Sequence, residues 1–181
     1  FRSAVLSTTL AASPWLAGVL LAVVVTLGLP AAWWLAQRPR LAWALAAATG
    51  VATLLLTLLP TARELDVGCA VEWDASLTAP EPLANVVLLV PFALLVGVAI
   101  GRPLAGALLG FAAGALLSAL IEAVQALVPA IGRSCSTGDL LANAVGAAIG
   151  GLLALAALHL ARRSRERAAR RGSAQREAAH D

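Results

Sequence analysis

The chain has 181 residues, 60% of them hydrophobic and 13% charged, with a mean hydropathy of +0.87. A soluble domain carries close to twice that share of charge, and several apolar runs reach the roughly 20 residues that cross about 30 Å of hydrocarbon. These values exclude an ordinary soluble domain and predict an all-α, polytopic transmembrane bundle of about five membrane-spanning helices. A sequence pI near 10.1 would suit a nucleic-acid partner, but the placement of the charge argues against one. All 13 basic residues are arginine, and seven lie between Arg162 and Arg176, after the last apolar run. A basic segment there is what the positive-inside rule expects, and its expected contacts are anionic lipid headgroups.

Taken in order, residues 1–13 are short and mixed, and the lack of an initiator Met predicts a trimmed start. The first predicted span is 14–36, with Pro30 placed to kink it and Trp33 and Trp34 suited to an interfacial aromatic belt. A signal peptide fits this run less well, because its positive charge follows the apolar stretch. Gln37 to Arg40 forms a tight basic turn, since Pro39 discourages helix in the residue before it. The second span is 41–60, ending at Pro60. Residues 61–82 make the longest polar loop, with five acids, Arg63 and Cys69.

The third span is 83–101, with Asn85 just inside its start and Pro91 in its interior. Arg102-Pro103 is a second basic turn, and the fourth span, 104–128, ends at Pro129. Residues 130–138 form a loop holding Arg133 and Cys135, followed by the fifth span at 139–160 and the arginine-rich tail. With the tail inside, the turns at 37–40 and 102–103 are inside too. Ten arginines then fall inside, and only Arg2, Arg63 and Arg133 fall outside. The expected placement is the cell membrane, multi-pass, N-terminus outside and C-terminus cytoplasmic.

This orientation brings several polar residues to one depth. Glu122 lies seven residues before Pro129, about 10 Å below the outer end of its helix. Asn143 lies about 6 Å down the fifth span, and Asn85 a few residues into the third. Glu122 and Gln125 share a helix face, as do Asp139, Asn143, Gly146 and Gly150. Gly106, Gly110, Gly114 and Ser118 follow at four-residue steps, a ridge of small residues that lets helix backbones approach.

A charge deep in a bilayer helix costs about 3 kcal/mol on insertion scales, so Glu122 is a functional candidate; fixing helix register is the competing role. Asp139 also suits a helix N-terminus through capping and the dipole. Arg133 is either a surface charge or a cation for Asp139, Glu122 or a phosphate. Cys69 and Cys135, the only cysteines, both fall in outside loops. A bridge between them closes about 65 residues and stabilises by roughly 4 kcal/mol. No spacing predicts a metal site, and no cofactor motif, nucleophile elbow or phosphate loop is present.

Asn85-Val-Val-Leu-Leu-Val-Pro91-Phe92, Glu122-x-x-Gln125, Arg133 and Asp139-x-x-x-Asn143-x-x-Gly146 together resemble the VanZ family of bacterial membrane proteins. The resemblance covers residues 41–160 as a four-helix membrane domain, after an N-terminal segment 1–40 with an extra helix and before a basic tail, 161–181. It implies a place in the bacterial cell envelope and a link to susceptibility to glycopeptides such as teicoplanin, not a reaction.

The expected function is binding. Asn85, Glu122, Gln125, Arg133, Asp139 and Asn143 would line an outward-facing polar pocket for a lipid headgroup or lipid-linked cell-wall precursor. One alternative is an intramembrane enzyme acting on such a lipid, with Glu122 as acid or base, although no activated nucleophile or metal set supports it. A small proton-coupled transporter is a second, weakened by the lack of an inverted repeat. A purely structural membrane subunit is the third.

Overall fold

The computed structural model describes residues 15–60, 69–70, 79–131 and 135–177. Among them, five helices are long and apolar enough to cross a membrane: α1 (Trp15–Leu35), α2 (Pro39–Leu58), α3 (Pro80–Ile100), α4 (Pro103–Leu127) and α5 (Thr137–Glu177). The chain is a multi-pass membrane protein with an all-helical architecture, and each predicted span is one of these helices.

Local chemistry sets the boundaries. Proline stands in the first turn of α2, α3 and α4, where its missing N–H has no helical partner to lose. Helix α3 ends at Gly101, whose φ of 74° is the left-handed conformation that closes a helix without a side-chain clash. Pro103 then starts α4 two residues later. In the α1–α2 turn, the Arg38 guanidinium lies over the Trp34 ring at 3.9 Å, a cation–π contact that ties the turn to the helix before it.

Helix α3 packs against all four others, and α5 against α1, α3 and α4, so α3 and α5 form the centre. The packing differs from that of a soluble core. Small residues line much of the interior and many large ones face outward: Ala93, Ala142, Ala147, Ala154 and Ala157 are fully buried beside Leu89, Val90 and Ile121, while Leu104, Leu116, Leu152 and Val51 are exposed. In lipid no hydrophobic force draws helices together, so close backbone approach has to do so. Exposed Trp15, Trp33, Trp34 and Trp43 sit near helix ends, as interfacial anchors do.

The two ends of the bundle differ. At one end lie the α1–α2 and α3–α4 turns and all ten described arginines, and Arg165 donates to the Ala36 carbonyl across it. At the other end a disulfide joins Cys69 to Cys135. There Cys69–Ala70 (β1) pairs in parallel with Cys135–Ser136 (β2), placing Cys69 opposite Cys135 and Ala70 opposite Ser136.

The fifth helix does not stop near residue 160. It continues unbroken through the arginine-rich segment to Glu177. Its 41 residues span about 60 Å, twice the hydrocarbon thickness. The segment is rich in Ala, Arg and Glu, good helix formers with no proline among them, so the helix persists where the hydropathy ends.

Candidate functional site

The polar residues that intrude on α3, α4 and α5 gather at the disulfide end. The N-terminus of α5 organises them. Ser136 is its N-cap: the Ser136 Oγ accepts the Gly138 N–H at 3.1 Å. The Ser136 N–H in turn donates to Glu122 Oε2 at 2.9 Å, so a carboxyl from α4 closes the start of α5. Asp139 lies in the first turn of the same helix, where the dipole favours an acid. Asn85 Nδ2 donates to Asp139 Oδ1 at 2.6 Å and so joins α3 to α5. Both acids therefore meet the N-terminus of α5, Asp139 from its first turn and Glu122 through the Ser136 N–H.

Glu122 and Gln125 are both buried, at 7% exposure. Gln125 turns toward α2, where its Nε2 donates to the Thr57 carbonyl at 3.0 Å. Thr57 lies in the last turn of α2, whose carbonyls have no helical N–H to receive. Gln125→Leu removes this bond and leaves a buried carbonyl without its donor. It is expected to cost about 1 kcal/mol and lower the Tm by about 2–4 °C in a detergent melt. An unchanged Tm would show that the bond adds nothing.

Asn143, one turn below Asp139 on α5, is buried at 4% exposure, and its Oδ1 has no hydrogen-bond partner among the described residues. The same holds for Ser118 Oγ on α4, which is completely buried. Arg133 lies outside the described residues.

Of the six residues expected at the site, Asn85 and Asp139 therefore bond each other. Glu122 meets the cap beside Asp139, Gln125 serves α2, and Asn143 stands one turn deeper. Three participants were missed. Thr57 contributes a backbone carbonyl, which has no side-chain signature. Ser118 read as one more small packing residue. Ser136 did carry a signal, since Ser136-Thr137-Gly138-Asp139 before an apolar run is a capping-box spacing.

The arrangement presents two carboxyls, two amides and a helix N-terminus at the end of an apolar bundle. Among the described residues no cluster of three or more His, Cys, Asp or Glu is placed to hold a metal. No curated protein and no solved structure matches the chain. The family model described as VanZ/LLP1 matches residues 14–159, from before α1 through most of the apolar part of α5. With that match over most of its length, the chain belongs to the VanZ/LLP1 family.

Proposed function

We propose that this protein binds the headgroup of an envelope lipid or lipid-linked cell-wall precursor at the disulfide end of the bundle, and through it modulates susceptibility to glycopeptides. The observation that carries the reading is the Asn85–Asp139 and Glu122–Ser136 pairing. Hydrogen-bonding groups from three helices meet there at one level, in a chain where such groups are costly. The arginines set the orientation in this reading. Ten at the opposite end make that end cytoplasmic, with the cluster opening to the outer leaflet and the N-terminus outside. The projecting part of α5, with its seven arginines, then lies along anionic headgroups of the inner leaflet. Arg133 is the expected partner for a phosphate.

The test is lipidomic analysis of material that co-purifies with wild type, Glu122→Gln and Asn143→Leu. Wild type is expected to enrich one headgroup class, Glu122→Gln to retain at least about tenfold less of it, as the loss of one charge-assisted hydrogen bond implies, and Asn143→Leu several-fold less, as the loss of a neutral one implies. Equal retention by all three removes the proposal. Two carboxyls at one helix N-terminus, Glu122 on the Ser136 N–H and Asp139 in the first turn, favour a second reading, an enzyme acting on the same lipid. Turnover lost in Glu122→Gln with binding intact would select it.

A further inference from the structure

We propose that Ser118 and Asn143 form a buried site for a small monovalent cation, sodium, in the seam between α4 and α5, one turn beneath the Glu122 and Asp139 carboxyls. This site shares Asn143 with the headgroup reading but does not depend on it, and its test uses no lipid readout.

The register of the two helices places the pair. A Cβ on Gly114 would meet the Ala147 Cβ at 2.6 Å, and one on Gly151 would meet the Ala107 carbonyl at 2.7 Å, so α4 and α5 run antiparallel in close contact. One turn onward from Gly114 is Ser118, and one turn back from Ala147 is Asn143. The next turn outward brings Glu122 level with Asp139. Helix α3 reaches the same level, because Gly146 rests on the Val86 carbonyl and Asn85 is bonded to Asp139.

Among the described residues, two oxygens in this seam lack the partner that buried polar atoms nearly always have. Ser118 is notable among the helical hydroxyls. Thr26, Thr49, Thr57 and Ser164 each donate to the carbonyl four residues back, at 2.7 to 3.0 Å. Ser118 does not, although that bond is the usual way for a hydroxyl to be satisfied in a membrane helix. Asn143 Oδ1 is purely an acceptor and calls for a donor or a cation.

The donors are hydroxyl and amide oxygens, the ligands of hard cations. Their neutrality suits one positive charge better than a divalent ion, which takes several anionic ligands. The Asp139 carboxyl, in the first turn of α5 one turn outward, adds negative charge on the same side, which favours a cation over a water molecule.

The test is the thermal stability of the purified full chain in detergent, titrated with sodium chloride at constant ionic strength against choline chloride, with lithium and potassium as further arms. A saturable rise in Tm of several degrees is expected in sodium and absent in choline, because an ion bound only to the folded state stabilises it by mass action. Ser118→Ala, which removes one oxygen from a seam already lined by glycine and alanine, is expected to move the half-saturating concentration up at least tenfold. Asn143→Asp supplies an anionic oxygen at the same place and is expected to move it down.

The two shifts are opposite in sign, so each variant tests the site even where the other does not fold. Melts identical in sodium and choline overturn the proposal, as expected for a bound water. A sodium effect unchanged in both variants places the ion elsewhere and overturns it equally.

Discussion

Gly146→Leu is expected to abolish the folded bundle: the variant elutes as aggregate on size exclusion and shows no cooperative thermal transition. Gly146 rests against the Val86 carbonyl of α3, and even a Cβ there would also come within 3.0 Å of the Val86 carbonyl carbon and Cα. Those atoms belong to a helix backbone, which cannot rotate aside as a side chain can. Among the described helices α3 and α5 make the most extensive contact, and Gly150 sits in the same way against Val90 and Leu94. Separating these helices loses the close packing that holds membrane helices together.

In soluble cores, overpacking costs about 1–3 kcal/mol where neighbours can adjust. A four-carbon side chain against fixed backbone exceeds that and approaches the whole stability of a domain, about 5–15 kcal/mol. Gly172→Ala is the control of opposite sign. It lies in the exposed extension of α5 with nothing within 4 Å, so alanine there should gain helicity by up to about 1 kcal/mol. Gly146→Leu melting like wild type would show that the α3–α5 contact does not hold the bundle together.

The contrast between these two glycines also shows what the sequence makes legible. Spans, breakers and the small-residue ridge are local patterns, and the helices begin and end close to where proline and hydropathy place them. The continuation of α5 to Glu177 is also local, but its signal is helix propensity without hydropathy, and a reading tuned to membrane spans passes over it. The site is legible only as a set of costly residues at one depth. That Asn85 meets Asp139, 54 residues away, follows from the parallel packing of α3 on α5, which no periodicity within either helix encodes. Gln125 shares a face with Glu122 and still serves a different partner, because α2 offers the Thr57 carbonyl there. Ser118 shows the opposite difficulty: its small size explains it so well that its hydroxyl goes unexamined.

Removal of the disulfide in a Cys69→Ser/Cys135→Ser variant is expected to lower stability substantially and to weaken the hold on Glu122 as well. The bridge closes a separation of 66 residues, worth about 4 kcal/mol of unfolded-chain entropy. Helix that persists in the detergent-unfolded chain makes that an upper bound, because part of the loop is already constrained. The second effect is local. Cys135 immediately precedes Ser136, whose N–H donates to Glu122 and whose hydroxyl caps α5, and the pairing of Ala70 with Ser136 holds that segment in place. Freed of β1, the segment positions the N–H less well, and the carboxyl loses a hydrogen bond of the charge-assisted kind, worth about 1.5–3 kcal/mol.

A double-mutant cycle separates the two effects. Glu122→Gln is expected to cost at least about 1 kcal/mol less in the disulfide-free background than in wild type, a coupling of the size found for groups in one network. Melts of the four proteins in detergent, with and without reductant, measure it. Equal costs in both backgrounds would mean that the bridge stabilises the chain without reaching Glu122, and that the cap of α5 holds its geometry unaided.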